Sequence, residues 1–518
     1  MLETRVLVVG GSTVGLATAA LLAHHGLRPL VIERRAGLSA HPRAMGTAMR
    51  TMEVLRELGA VEDLGSNPRT GKITVHTLAD PESAAAPKAL PATTSTSPWT
   101  ALTPTRPAPS AQDRIDAALH KAATRLGTEF RFGTELKSLA QDESGVTVTV
   151  DGPAGGYQIR AEHVVGADGV RSQVREQLGV RTTGPGPIGT ENTSVLFRAD
   201  LTELSQGNDF LLCEVRNPEA PGMLISMDAV DRWVFHTGVA TSAGRTPEEL
   251  VRSALGATDL PIEVLSTMSW QVNGRLAETF RVGRVFLAGD SAHAVPPLGA
   301  TGMNSGVADA YNLAWKLAFV HSGRASEKLL DSYEQERLPA ARLNLAQALL
   351  RMDNAHLHWD SSEQAARERA EIGLLAPFVM SLADRYSSSA VIDPEPELPS
   401  TQDALAVLDG APGSRVPHEW VSGQDLSTVD IAGTDLALLT GVDGQAWQRP
   451  AAAQGLRVHA LPNSVDWLAD RGAVLIRPDS FIAWRAEDLG ADPAGVLRAA
   501  LDRVLTPSGA GVPGGARP

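Results

Sequence analysis

Residues 5–33 read Arg5-Val-Leu-Val-Val9, then Gly10-Gly11-Ser12-Thr13-Val14-Gly15, then a run from Leu16 to Gly26, and finally Pro29-Leu-Val-Ile-Glu33. The first apolar run followed by glycines predicts a strand ending in a tight turn. Leu16, Ala19, Ala20 and Ala23 recur at helical spacing up to Gly26, and Pro29–Glu33 predicts a second strand. This βαβ start implies an α/β fold with a parallel sheet covered by helices. The glycine cluster sits where a dinucleotide-binding turn belongs. Gly10 permits the turn, Gly15 lets the helix pack close to the sheet, and the helix start offers free N–H groups to a pyrophosphate. Ser12 stands where closest backbone approach favours glycine. Glu33 follows Gly10 by 23 residues at the end of the second strand, from which an acid can hold a ribose hydroxyl. The competing reading is a glycine-rich turn with a surface glutamate.

Two later segments sharpen this to FAD rather than NAD. Gly166-Ala-Asp168-Gly169-Val-Arg171-Ser172 follows the apolar run His163-Val-Val165, and Arg284-Val-Phe-Leu-Ala-Gly289-Asp290 is another strand closing in Gly-Asp. Such a pair can place a carboxylate on the ribityl chain of a flavin, although Asp-Gly alone is a common turn.

The rest of the chain bounds the answer. Its 518 residues predict two to four domains, and 43% hydrophobic with 20% charged residues excludes wholesale disorder. A net charge of −14 argues against a nucleic-acid partner. No apolar run approaches the ~18 residues of a membrane span, and the N-terminus lacks the form of a signal peptide, so a cytoplasmic location is expected. The single cysteine, Cys213, excludes an internal disulfide framework, and no histidine spacing suggests a metal. Aromatics at 4% and few lysines beside many arginines read as compositional bias, and leave room for an aliphatic pocket. Residues 80–110 predict a long loop, 128–150 strands with a hairpin turn at Asp151-Gly152, 190–280 mostly strands, and 303–352 helices. Asp393-Pro-Glu-Pro-Glu-Leu-Pro399 marks a boundary, and 507–518 a frayed tail.

With these motifs in place, the chain resembles the class A flavoprotein monooxygenases, the p-hydroxybenzoate hydroxylase-like family. Within it the resemblance is to bacterial aromatic polyketide hydroxylases such as anthracycline and tetracenomycin hydroxylases. It is carried by Gly10–Gly15, Glu33-Arg34-Arg35, His41-Pro-Arg43-Ala, Arg50-Thr-Met-Glu53, Gln112-Asp-Arg114, Gly166–Ser172 and Gly289–Asn304. It implies a Rossmann-like FAD-binding domain (1–75, 106–180, 281–395) interleaved with a β-sheet substrate domain (76–105, 181–280). A thioredoxin-like C-terminal α/β domain (400–506) follows, and having no cysteine it can carry no dithiol chemistry.

By the same resemblance, Gly10, Gly11, Ser12, Val14, Gly15, Glu33 and Arg34 form the dinucleotide turn and its acidic partner. Arg43 lies near the flavin, Gln112 meets the ribityl and phosphate region, and Leu136 offers backbone to the adenine. Asp168 belongs to the second FAD/NAD(P)H motif, and Gly289-Asp290 to the ribityl site. Pro297, Gly299, Gly302, Met303 and Asn304 belong to the loop under the isoalloxazine, where Ala300 replaces the second glycine of a usual pair. That loop leads into a helix whose N-terminus suits the negative N1–O2 edge of reduced flavin. The competing reading of Asn304 is a plain helix cap, and His293 reads as a packed histidine rather than an acid or base. Arg385-Tyr386 is similar to a segment near the substrate pocket. Phe197, Leu211, Met223, Ile225, Phe235 and Pro297 are candidate walls that core packing explains as well.

The implied activity is hydroxylation of a polycyclic aromatic, polyketide-type substrate, using NADPH or NADH and O2 through a flavin C4a-hydroperoxide. The implied assembly is a monomer or homodimer. Baeyer–Villiger oxygenation of a ketone on the same fold, or flavin binding without turnover, remain the alternatives. No catalytic side chain is assigned, because the cofactor carries the chemistry.

Overall fold

The structure, a computed structural model, describes residues 1–506 apart from 66, 70, 81–98, 107, 109, 206 and 361. The expected tail at 507–518 and most of the 76–105 segment lie outside the described residues.

Strand Leu2–Val9 is the centre of the first sheet. Leu30–Glu33 and then Glu129–Phe132 pair in parallel on one side of it, and Gly155–Gly166 and then Val285–Leu287 on the other. Strand order therefore reverses at Leu2–Val9, and the crevice at such a reversal is where α/β sheets bind ligands. Helix Thr13–His24 is buried almost all round, which explains its run of small and aliphatic residues. An antiparallel extension, Glu135–Asp142 with Gly145–Gly152, joins through Gly155–Gly166. Its last hairpin turns at Pro153-Ala154, because Gly152 pairs with Gly155. The turn expected at Asp151-Gly152 is thus shifted by two residues: Pro153 fixes the first turn angle and Gly155 takes a φ of 102° just beyond.

A second sheet of seven strands runs in the order His293–Ala294, Glu263–Ala277, Thr182–Arg198, Arg232–Gly238, Gly222–Ser226, Leu212–Val215 and Lys72–Val75. Side chains alternate between its faces. Val195, Phe197, Leu224 and Phe235 pack outward with Leu250 and Val251 of helix Pro247–Leu255. Leu196, Val234 and Met227 pack the other way, against Ala111 of the first unit.

The C-terminal part has Arg457–Ala460 parallel to Ala437–Thr440, followed by antiparallel Ala473–Ile476 and Ile482–Ala486. With helices Gln448–Ala452 and Pro493–Leu505 this is the βαβ–ββα order of a thioredoxin-like unit. Its Trp447, Trp484 and Leu497 share a core with Trp315 and Phe319 of the long helix Thr301–His321.

Charge also crosses that boundary. The buried Glu336 carboxylate accepts from Arg477 Nη1 (2.6 Å) and Nη2 (2.9 Å), Lys316 Nζ (2.7 Å), Asn312 (2.6 Å) and Ser388 (2.6 Å). A buried carboxylate so surrounded cannot be deleted without stripping Lys316 of its carboxylate and leaving Arg477 with Asp479 alone. Glu336→Ala is expected to cost about 3–5 kcal/mol in denaturant unfolding; a loss under 1 kcal/mol contradicts this role.

A second weak point is acid. His163 Nδ1 lies 3.0 Å from His321 Nε2 in the interior. Burial, then His321, Arg284 and Arg281, push His163 down to about 3. The unfolded chain titrates near 6.5, so between these values it binds the extra proton and stability falls as pH drops. The expected slope is about 1.4 kcal/mol per unit from this group, and His163→Asn should flatten the pH dependence of unfolding.

Candidate active site

The ends of four parallel strands meet within a few residues. Gly10 N–H donates to Ile32 O, Ala167 N–H to Val9 O, and Ala288 N–H to Gly166 O. Gly10 has φ 113°, and a Cβ there would stand 2.3 Å from Ala167 O; one on Gly15 would stand 1.9 Å from Gly10 O. Both glycines are therefore imposed by backbone contact. Ser12 has an ordinary φ of −104°, so its side chain costs the turn nothing. Helix Thr13–His24 begins with no side-chain cap, which leaves its first N–H groups open to an anion.

Glu33 is 6% exposed and braces this turn, since its Oε2 accepts from Gly11 N–H at 2.7 Å. Its Oε1 accepts from Arg35 N–H and Nε, both at 2.9 Å. Burial would raise the Glu33 carboxyl, but these bonds outweigh it and hold it below the ordinary range. Arg35 is the partner that sequence reading missed; Arg34 is exposed. Gln112, at the start of helix Gln112–Arg125, donates to Thr13 Oγ1 (2.9 Å) and Ser12 Oγ (3.3 Å) and accepts from Arg43 N–H (3.2 Å). It thereby joins the turn to the exposed Arg43. Leu136 is buried in the core beside these strands and pairs with Val150.

The two Gly-Asp motifs are stitched together. Asp168 accepts from Ser172 Oγ (2.5 Å), Val174 N–H (3.1 Å) and Ser291 Oγ (3.0 Å), so its carboxylate serves the protein itself. Asp290 differs. It has no hydrogen bond among the described residues and is open to solvent, yet protein crowds it from the sides. That crowding raises its carboxyl above the ordinary range, against the pull of His293 and Arg43.

Behind Asp290, Gly289 (φ 60°) and Gly306 both abut Val14; a Cβ on either would stand 2.7 or 2.5 Å from its Cγ2. Gly289 N–H donates to Asp309 (2.9 Å), which also meets His293 Nε2 (2.6 Å) and Arg337 Nε (2.8 Å) in a fully buried cluster. Burial alone would raise the Asp309 carboxyl, but His293 and Arg337 hold it below its ordinary range. His293 is thus a packing histidine. Sequence reading missed Asp309 and Arg337, whose only signal was their place on long helical runs.

In the loop beyond, Pro297 is exposed and its carbonyl accepts from Ala300 N–H (3.0 Å). Ala300 takes φ 53°, ψ 35°, the left-handed form glycine would supply, at about 1–2 kcal/mol. The alanine therefore preserves the turn. Gly302 and Met303 begin helix Thr301–His321, which also lacks a side-chain cap. Asn304 is a tether, not a cap: it donates to Ala300 O (2.7 Å) and accepts from Ala48 N–H (2.9 Å) and Thr51 Oγ1 (2.6 Å).

The expected substrate residues divide. Met223 pairs with His236, which pairs with Ser194, and Ser194 bonds His41 Nε2 (2.8 Å), so Met223 lies on the face turned to the first sheet. Phe235 lies one residue out of that phase and belongs to the outer core. Tyr386 is 2% exposed, stacked on Phe481 with centroids 3.9 Å apart, and its phenol accepts from Arg337 (3.1 Å). Arg385 is paired with Asp409 (2.8 Å). Phe235 thus packs in the outer core, Tyr386 is enclosed by Arg337 and Phe481, and Arg385 is held by Asp409.

Unfilled N–H groups at two helix starts, a glycine cradle closed to any Cβ, and an unpartnered carboxylate between them fit a flavin dinucleotide. Residues 3–348 match the FAD binding domain family, and 409–508 match the C-terminal domain of aromatic-ring hydroxylases. The chain belongs to the FAD-dependent aromatic-ring hydroxylases. It is 38% identical over 574 residues to a tetracenomycin A2 monooxygenase-dioxygenase of Streptomyces glaucescens, covering 99% of this chain and 98% of that one. It is 37% identical to an aklavinone 12-hydroxylase of Streptomyces purpurascens, covering 97% and 99%. Its structure resembles that of aklavinone-11 hydroxylase in a ternary complex with FAD and aklavinone, with a TM-score of 0.82, 35% identity, and 98% and 99% of the chains covered. No described helix of this hydroxylase is long and apolar enough to cross a membrane.

Because Asp290 bonds to none of the described residues, Asp290→Ala is expected to weaken FAD binding by about tenfold to a hundredfold, the worth of a charged hydrogen bond. The apoprotein should melt unchanged. Fluorescence titration with FAD and thermal melting check the two halves; unchanged FAD affinity removes the assignment.

Proposed function

We infer that this hydroxylase inserts one oxygen atom of O2 into a polycyclic, phenolic polyketide-type ring, with NADPH or NADH as reductant. The observation that carries the reading is the unpartnered Asp290 in the crevice where strand order reverses, on a chain whose aromatic-hydroxylase relatives match it from end to end. When bound, the flavin supplies the reductive activation of O2. The balance is one aromatic C–H, O2, NAD(P)H and a proton in, and one C–OH, NAD(P)+ and water out.

In this reading the chain's own groups bind, orient and enclose. The open N–H groups before Thr13 take the pyrophosphate, Glu33 a ribose, Asp290 the ribityl hydroxyls, and Arg43 with the Pro297–Met303 loop flanks the ring system. The inner face of the second sheet, with Leu196, Met223, Ile225 and Val234, supplies an apolar wall that keeps water from the reacting ring. The aliphatic part of this wall accepts a flat polycycle through dispersion and apolar burial, beside the polar Ser194 and His236 on the same face.

The purified protein is expected to be yellow and to oxidise NAD(P)H faster with polycyclic phenols or quinones than without. Mass spectrometry should find one added oxygen with the ring skeleton retained. A lactone product replaces hydroxylation by Baeyer–Villiger oxygenation, and FAD binding without substrate-stimulated oxidation removes both.

A further inference from the structure

Arg351, near the end of helix Asp331–Asp353, is 4% exposed. Its Nη2 donates to Leu375 O (2.7 Å), and its Nη1 faces His358 Nδ1 (3.4 Å). No carboxylate pairs with it among the described residues. The charged group that bears on it is Arg369, a second cation. Burial, with Arg351, Lys72 and Arg369, pushes His358 down to about 4, so that neighbour is neutral and adds no negative charge. Three of the other buried arginines contrast with this: Arg337 meets Asp309, Arg415 meets Glu53, and Arg477 meets Glu336. Arg175 likewise bonds only carbonyls, of Ser291 and Val170, but it feels the favourable charge of Asp168, for which Arg351 has no counterpart among the described residues. An isolated buried charge costs several kcal/mol after relaxation, which a fold sustains where an anion completes the site.

The place of that cation is informative. A Cβ on Gly299 would stand 3.2 Å from Arg351 Cδ and Nε, so the side chain runs along the Pro297–Met303 loop. The same loop opens into the uncapped start of helix Thr301–His321, the positive end of its dipole. Two independent sources of positive potential therefore converge on one turn, and neither is neutralised by the protein.

We propose that Arg351 is the counter-cation of a delocalised oxyanion held against this loop, either the N1–O2 edge of reduced FAD or the ionised phenol of the aromatic substrate. The proposal rests on the FAD reading of the cleft. Its alternative is a purely structural arginine that satisfies the Leu375 carbonyl.

The test uses the full-length, FAD-loaded protein with Arg351→Met, Arg351→Gln and Arg351→Lys. Gln retains a donor for Leu375, so the test stands even if the Met variant does not fold. One arm measures the FAD midpoint potential by dye equilibration without substrate. The other measures, by absorbance, the ionisation of quinizarin bound to the oxidised enzyme. A tenfold loss of preference for reduced FAD, a fall of about 30 mV, assigns the anion to the flavin. A rise of about one pH unit in the ionisation of bound quinizarin assigns it to the phenol. Arg351→Lys should recover most of whichever shift occurs. Neutral variants that hold FAD, melt lower and move neither quantity overturn the proposal, whereas a wild-type protein that takes up no FAD overturns the proposed function instead.

Discussion

The Asp309 carboxylate is the contact on which the rest of the structure depends. It sits in the middle of a helix with no access to water and holds three things at once: the N–H of Gly289, the imidazole of His293 and the guanidinium of Arg337. Through Gly289 it fixes the left-handed turn that presents Asp290. Through Arg337 it reaches Tyr386 and Asp384, and so the surface on which the C-terminal part packs. A carboxylate buried so deeply is tolerable only because each bond is charged or made to a backbone donor. The cost of burying it is recovered as rigidity where the cofactor's sugar chain is expected.

Around that centre, sterics and electrostatics divide the work. Close approach decides the glycines: Gly10 against the backbone of Ala167, Gly15 against the backbone of Gly10, and Gly289 and Gly306 against the side chain of Val14. Charge decides the rest, with Glu33 drawn under Gly11 and the Asp168 carboxylate tying Ser172 to Ser291. The side chains that shape the turns are thus mostly consumed by the protein, and Asp290 is the acid left over for a ligand.

The elements legible in the sequence were those whose residue identity is dictated locally. A strand, a glycine turn and a helix within thirty residues announce themselves, because φ and close approach restrict Gly10 and Gly15 directly. The faces of the second sheet were not legible, since both are apolar: Phe235 and Met223 look alike in sequence, and only register separates the outer core from the cleft. The contacts of Arg385 and Tyr386 were hidden for a related reason, because their partners Asp409 and Phe481 lie further along the chain. The same distance hid Arg337, whose partners include Asp309 and Asp384, and Arg351, which is recognised by the partner it lacks.

The Glu336 cluster bears on how such a protein can have evolved. Its donors come from the long helix at 301–321, from Ser388 and, through Arg477, from the C-terminal part, so a two-pronged ion pair spans the boundary although Lys316 and Asp479 also give each charge a partner on its own side. Exchanging the thioredoxin-like part for another module of the same shape would break that pair and uncover Trp315 and Phe319, which share its core. An incoming partner would need an arginine at the position of Arg477 before the two halves met. Such an exchange demands matched changes on both sides of the boundary, in charge and in apolar surface alike.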